Sequence, residues 1–312
     1  MKILCICLSS GIQRTLSFEN FCKGQVNRTS DFIENLSGKA VNTARVISQL
    51  KEQDAARFKK LTVSVLCPEG KDNKAQFKFL AQKESFKVKT VTIKGRTRQC
   101  WTLLEKDGTT TEVIADEKAE ENLRNIYIEA QGKILSKLER LTDRYRTVVF
   151  AGSCPSYFDA DFPAKICRIV KNCGCRLLAD FTGTALTETL KVCTPDIIKI
   201  NQEEFTSTFM NKKSSQVSFE ELKKAVAEKS EELNNIVIVT RGEESTVSAE
   251  KGQLTVTDCE KLVPVNTTGC GDSFNAGFIS EYVLSGNLEE ALKLGTWCAS
   301  RNAESLCPGS LK

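Results

Sequence analysis

The sequence predicts an α/β protein in which helices cover both faces of a mainly parallel sheet and a small second sheet forms a lid. Three observations carry this reading. Apolar strand-like runs alternate with helical periodicities along most of the 312 residues, and that alternation is the mark of a parallel sheet packed between helices. Apolar residues make up 40% of the chain, enough for a substantial core. Two β-rich stretches break the alternation without a helix after each strand. By length one large domain or two ordinary ones would fit. No internal repeat or low-complexity linker divides the chain, so we expect one unit over residues 1–312.

The elements follow in order. Ile3–Leu8 is an unbroken apolar run and reads as a first buried strand. In Gly38–Leu50, the residues Val41, Ala44, Val46, Ile47 and Leu50 fall near helical spacing. Leu61–Leu66 is a strand, Ala75–Lys83 a helix, and Thr147–Phe150 a buried strand ending in Ala151-Gly152-Ser153. Phe162–Val170 reads as a helix, and Arg176–Phe181 and Asp196–Ile200 as strands. Phe219–Leu233 is a helix before a last strand at Ile236–Thr240. In such sheets ligands bind beyond the carboxyl ends of the strands. The two interrupting stretches are Thr15–Asn35 and Lys87–Ala115, the second carrying an Asp107-Gly108 hairpin turn. We expect them to pair into a lid over the active-site edge, with insertions at about 12–35 and 88–115. The competing reading makes them an edge extension of the main sheet.

Composition narrows the chemistry. There is no histidine, which removes Ser-His-Asp and Cys-His catalysis and the His-Arg-Asp loop of protein kinases. A general base must come from Asp, Glu or Lys, less readily from Tyr or Cys. The net charge is only +4, so no broad basic field invites nucleic acid or a membrane surface. An anionic substrate would need a local basic cluster. The first apolar run is too short for a secretory segment and no run approaches a membrane span, so a cytoplasmic protein is expected. The fourteen cysteines are scattered through apolar stretches, where a reduced thiol acts as a small hydrophobe. No second pair joins Cys173 and Cys175 at zinc-finger spacing.

The strongest motif is Val265–Phe278, containing Thr268-Gly269-Cys270-Gly271-Asp272. Small residues at 269–271 allow a tight turn, and Phe274, Phe278 and Tyr282 then recur at helical spacing. A helix beginning near Gly271 would leave the amides of Gly269, Cys270 and Gly271 free to bind an anion. Asp272 could face a substrate hydroxyl, or could be an ordinary helix N-terminal residue. The motif is no Walker A loop, because no Lys-Ser/Thr follows the glycines. Its place near the chain end argues against a dinucleotide fingerprint. Phosphoryl transfer to an alcohol needs a base, a site for developing charge and a metal. Asn201 and Glu204, just after a strand, could arrange Mg²⁺ through waters or could simply cap a helix.

Several motifs in order resemble the PfkB (ribokinase-like) carbohydrate kinases, and within them the phosphofructokinase and tagatose-6-phosphate kinase branch. These are Gly24-Gln25-Val26-Asn27-Arg28, Leu36-Ser37-Gly38-Lys39-Ala40-Val41-Asn42-Thr43-Ala44-Arg45, Thr97-Arg98 before the Asp107-Gly108-Thr109 turn, Ala151-Gly152-Ser153-Cys154-Pro155, Ile198–Glu204 and Asn266–Phe278. The resemblance implies a ribokinase-like three-layer sandwich with a β lid, using ATP and Mg²⁺. It implies Asp272 as catalytic base, with Gly269, Cys270 and Gly271 as the anion hole. Asn201 and Glu204 resemble the family's metal-linked pair. Lys199 and Thr240-Arg241-Gly242 look like nucleotide contacts. Gly38, Lys39 and Asn42 match the substrate loop, and Arg28, Lys39, Arg98 and Ser153 could hold a phosphate already on the sugar.

The chain departs from the branch on the sugar side. Ser9-Ser10-Gly11-Ile12-Gln13-Arg14 stands where the branch usually reads Asn-Pro-Ala-Ile-Asp-Arg, so Gln13 replaces a hydroxyl-binding carboxylate. Charged acceptors make bonds roughly twice as strong. Ser37-Gly38-Lys39-Ala40 replaces Gly-Gly-Lys-Gly, and Cys270 replaces a small Ala. The expected activity is ATP-dependent phosphorylation of a fructose or tagatose phosphate. Alternatives are a kinase of an unphosphorylated sugar or nucleoside, and a degenerate binding protein. A homodimer through the lid is compatible with the resemblance.

Overall fold

The computed structural model describes residues 1–115 and 121–311; residues 116–120 and 312 of the expected single unit lie outside the described residues. The first third of the chain holds β1 (Lys2–Ile6), β2 (Gly11–Phe18), β3 (Phe32–Ser37), α1 (Lys39–Gln53), α2 (Ala55–Phe58), β4 (Thr62–Gly70) and α3 (Lys74–Gln82). The middle holds β5 (Lys87–Ile93), β6 (Arg98–Glu105), β7 (Thr110–Ala115), α4 (Arg124–Thr142), β8 (Thr147–Ala151), α5 (Phe162–Asn172), β9 (Arg176–Asp180) and α6 (Gly183–Leu190). The last third holds β10 (Ile197–Asn201), α7 (Gln202–Phe205), α8 (Phe219–Leu233), β11 (Ile236–Arg241), β12 (Glu244–Glu250), β13 (Gln253–Thr257), α9 (Cys270–Ser285) and α10 (Leu288–Ala303).

The large sheet has the order β13-β12-β11-β10-β9-β8-β1-β4-β5. Every pairing from β11 across to β5 is parallel, and β12 and β13 add an antiparallel edge. Both faces are buried because successive strand residues point to opposite sides. Leu4 and Ile6 of β1 join one core with residues of α4, α5 and α8, while Ile3 and Cys5 join another with residues of α1 and α9. The result is three layers: helices, sheet, helices. Phe278 is fully buried in the second core, and truncating such a phenylalanine costs about 3–5 kcal/mol.

The smaller sheet has the order β3-β2-β6-β7 and is the expected lid, built from two segments far apart in sequence. β2 and β6 pair in parallel, Gly11 opposite Arg98. The β6–β7 hairpin turns at Asp107-Gly108, where Gly108 has φ of +89° and Asp107 Oδ1 accepts from the Thr109 amide at 2.8 Å.

One lid boundary is corrected. Residues 87–93 form β5, which pairs in parallel with β4 at the edge of the large sheet. The helix α3 between β4 and β5 makes this an ordinary strand-helix-strand crossover. Only residues 98–115 of the second insertion enter the lid. The helix α4 carries Tyr127, Ala130, Ile134 and Leu138 on its buried side, a helical spacing to which the sequence reading assigned no element.

Candidate active site

A cleft of about 1970 Å³ lies between the lid and the large sheet. Single ligand pockets run to roughly 300–1,000 Å³, so this one has room for two substrates side by side. All the site residues named from sequence line it except Arg28 and Ser153.

The floor is the start of α9. Gly269 precedes the helix with φ of +85°, and a Cβ there would stand 2.9 Å from the Gly309 nitrogen; both facts exclude a side chain. The turn is closed by the Cys270 amide, which donates to the Thr267 carbonyl at 3.2 Å. Asn302, fully buried on α10, holds this loop. Its Nδ2 donates to the Thr268 carbonyl at 2.9 Å, and its Oδ1 accepts from Ser273 Oγ at 3.0 Å and the Gly309 amide at 2.7 Å. Cys270 Sγ sits 3.4 Å from Asn302 Nδ2, and burial raises its thiol pKa.

Asp272 lies in the first turn of α9, 6% exposed. Its Oδ2 accepts from Asn42 Nδ2 at 2.8 Å. Burial pushes its carboxyl up to about 6; Lys39, Asn42 and Lys199 oppose the rise, and the nearby Asp180 adds to it. A buried carboxylate with such a value is poised to take a proton near neutral pH.

The second carboxylate behaves oppositely. Asp180 ends β9 with no exposed surface. Its Oδ1 meets Lys39 Nζ at 2.9 Å, and its Oδ2 meets Lys199 Nζ at 3.4 Å and Asn275 Nδ2 at 2.5 Å. Burial would push this carboxyl up, but Lys199, Lys39 and the hydrogen bonds outweigh it and hold it at about 2. Two carboxylates whose environments drive them apart divide the roles of proton acceptor and permanent anion. Asp180 was missed from sequence. Its only local signal is a charged residue at the carboxyl end of an apolar strand, where sites gather.

Lys39, at the start of α1, sits between carboxylates. Its ammonium is 2.9 Å from Asp180 and 3.7 Å from Glu204. Asp180, followed by Glu204 and Asp272, raises its pKa against the cost of burial. Lys199 is buried beneath the 269–271 turn: a Cβ on Gly271 would stand 2.7 Å from its Nζ.

Asn201 and Glu204 form a reciprocal capping box at α7. Asn201 Oδ1 accepts from the Glu204 amide, and Glu204 Oε2 accepts from the Asn201 amide, both at 2.8 Å. Glu204 Oε1 remains toward Lys39, so the pair fits both readings of the motif. Among the described residues no group of three or more Cys, Asp and Glu is arranged to hold a metal ion.

Of the four groups expected to hold a sugar phosphate, Lys39 and Arg98 line the cleft and Arg28 and Ser153 do not. Arg28 is exposed in the β2–β3 loop, beside a turn closed by Asn27 on Cys22 and Gln25. Ser153 is exposed after β8. Arg98 opens β6 and lines the cleft. Gln13 on β2 is 6% exposed; its Nε2 donates to Thr102 Oγ1 at 2.8 Å and its Oε1 accepts from Ser37 Oγ at 3.4 Å. On the nucleotide side Thr240 and Gly242 line the cleft, but the Arg241 head is engaged by Gln202, Glu244 and the Phe219 ring. The lid touches the floor where Thr268 Oγ1 donates to Glu112 Oε1 at 3.2 Å.

A lid over strand ends, a glycine turn at a helix start and a raised carboxylate would suit a kinase, and the pfkB family carbohydrate kinase profile matches residues 2–308. The chain belongs to the pfkB family of carbohydrate kinases. A tagatose-6-phosphate kinase of Staphylococcus epidermidis is 28% identical over 294 residues, covering 93% of this chain and 88% of that protein. Among solved structures, phosphofructokinase-2 from Escherichia coli in complex with fructose-6-phosphate superposes with a TM-score of 0.83 at 18% identity, over 99% of this chain and 95% of that one. A possible 1-phosphofructokinase from Thermotoga maritima gives 0.82 at 16% identity, over 99% and 95%. These likenesses agree with the three-layer fold and lid. A kinase of this family takes ATP as co-substrate.

Proposed function

We propose that this pfkB kinase, residues 1–312 acting as one unit, transfers the γ-phosphoryl group of ATP to a hydroxyl of a fructose or tagatose phosphate, with Asp272 as general base. The observation that carries the reading is the Asp272 carboxylate, buried at the cleft floor in the first turn of α9, beside the glycine turn at 269–271, and raised to about 6. Asn42 engages Oδ2, which leaves Oδ1 to take the proton of the acceptor hydroxyl. The amides of Gly269, Cys270 and Gly271, with Lys199 beneath them, stabilise the charge that grows on the transferring phosphoryl group. Asp180 stays ionised and holds Lys39 and Lys199 in place. Closure of the lid onto the floor excludes water and limits wasteful hydrolysis.

Glu204 and Asn201 would hold Mg²⁺ through waters, with Glu204 Oε1 the oxygen not used by the capping box. Mg²⁺ keeps much of its hydration and binds through one or two carboxylates and substrate phosphates. When bound it neutralises phosphate oxygens of the nucleotide. Arg98 is the residue we assign to the phosphate already on the sugar. Exposed Phe32, Ile33 and Val113 on the open edge strands of the lid support a homodimer through that sheet. The fourteen free thiols support a cytoplasmic setting.

One observation favours a second reading, an unphosphorylated sugar as acceptor: Arg28 and Ser153 do not line the cleft. The test is Mg-ATP-dependent ADP release across phosphorylated and unphosphorylated fructose, tagatose and related sugars, with Asp272→Asn as control. Turnover of one sugar phosphate, lost in the variant, supports the first reading. Turnover of a free sugar alone replaces it with the second.

A further inference from the structure

Arg45 stands on α1 one turn after Asn42 and does not line the cleft. A guanidinium carries five N–H donors and no acceptor, and here all five are used. Nε and one Nη2 hydrogen meet Glu84 at 3.1 and 2.6 Å. The other Nη2 hydrogen meets the Leu36 carbonyl at 2.7 Å. Nη1 meets the Pro308 carbonyl at 3.1 Å and Asn42 Oδ1 at 3.0 Å. The bidentate Glu84 contact holds the fork from behind, and the carbonyls of Leu36 and Pro308 fix its plane.

This has a consequence for Asn42. The two ends of a side-chain amide are nearly the same size, and their neighbours decide which faces where. A donor-only guanidinium admits only Oδ1 on its side. Nδ2 is thereby turned to Asp272 Oδ2 at 2.8 Å. The flipped amide would set N–H against N–H at Arg45 and oxygen against carboxylate at Asp272.

We propose that Arg45 is a positioning residue for the transfer reaction: it locks the Asn42 amide so that its NH₂ donates to Asp272 and leaves one carboxylate oxygen to the acceptor hydroxyl. The proposal rests on the reading of Asp272 as base. A hydrogen bond to the charged form of a carboxylate favours that form, so the lock offsets part of the burial that raises Asp272. The other groups acting on Asp272 are Lys39 from α1, Lys199 from β10 and Asp180 from β9. The Cys7 and Cys270 thiols also face it, both with pKa values raised by burial. The charged and titratable groups at Arg45 are Glu84 and the Cys307 thiol.

The test is a titration that needs no turnover. The carboxyl infrared band of Asp272, identified by its absence in Asp272→Asn, is followed from acid to mildly alkaline pH. Wild type, Arg45→Met, Asn42→Ala and the double variant are compared. Arg45→Met should raise the midpoint by about one pH unit, the order of one hydrogen bond to a charged group. Asn42→Ala should do the same, and the double variant no more than either alone. In turnover assays Arg45→Met should lower kcat more at pH 6 than at pH 8, with the sugar KM within about twofold, because the lock acts on the base and not on binding.

An unmoved midpoint in Arg45→Met, or shifts that add in the double variant, overturns the proposal. Should Arg45→Met not fold, because Glu84 is left buried and uncompensated, two replacements keep the test. Arg45→Met combined with Glu84→Gln removes the pair together, and Arg45→Lys keeps the charge without the fork. A wild-type midpoint with Arg45→Lys shows that charge alone suffices and overturns the lock. If the titration behaves as expected while wild type turns over no sugar, the reading of Asp272 as a kinase base is what fails.

Discussion

The two walls of the cleft are made in different ways. The floor is buried and over-determined. Asp272 lies in the first turn of α9, Asp180 ends β9, Lys199 lies within β10 and Asn302 is near the end of α10; all four are buried, and Asp180 and Asn302 each hold several partners. The lid wall consists of two short hairpins from distant parts of the chain, and β7 is exposed along its whole length. On the proposed function the phosphoryl-transfer chemistry falls on the buried wall, where an error in position is costly. On the same proposal, contacts to the sugar phosphate such as Arg98 fall on the more exposed wall.

The comparison can be broken first at Asp272. Asp272→Asn should lower kcat at least ~10²-fold with the sugar KM little changed, as loss of a general base does. A near-normal kcat would take the base out of the floor. On the lid, Arg98→Ala should raise the KM for a sugar phosphate about tenfold, in line with one charge-assisted bond, and leave kcat within a few-fold. An equal loss for an unphosphorylated analogue would show that Arg98 does not read the phosphate.

The pH dependence sharpens the floor further. Asp272 must be ionised to accept a proton, so kcat/KM should fall on the acid side with a midpoint near 6. The same shift bears on stability. A carboxyl raised in the folded state contributes stability that is fully present below its unfolded pKa and is lost as pH rises through the folded one. Asp272→Asn should therefore be more stable than wild type at pH 8, by about 3 kcal/mol at most, and no more stable at pH 4. Urea unfolding at the two pH values checks this, and equal stability at both would mean that the carboxylate is not strained by its burial. The smallest effect is expected at Arg28. Exposed and outside the cleft, Arg28→Ala should change the sugar KM by less than about twofold, as isolated surface substitutions do. A larger change in KM would bring the β2–β3 loop into the site, from its own subunit or a partner.

Much of the floor was legible in the sequence because its information is local. Gly269, Gly271 and Asp272 are contiguous, and the requirement for a tight turn followed by Phe274, Phe278 and Tyr282 at helical spacing can be read from neighbouring residues alone. The capping box at Asn201 and Glu204 is local for the same reason. The alternation of strands and helices indicated the three layers, and the absence of histidine narrowed the base to a carboxylate or lysine.

Other features depend on residues far apart in the chain. Asp180 meets Lys39 across 141 positions, and nothing in the sequence around it sets it apart from a residue that merely ends a strand. Read locally, Arg45 is one more residue of a helix, and only the approach of Glu84, Leu36 and Pro308 fills four of its five donors. Strand pairing decided that β5 joins the large sheet while β6 and β7 join the lid, although all three have similar β-type composition. The sequence by itself determined the fold class and the family, because these rest on short-range geometry and on the order of motifs. Which arginine faces the cleft, and which carboxylate is held charged, was decided only by the tertiary structure, because burial and charge pairing exist only once distant segments have met.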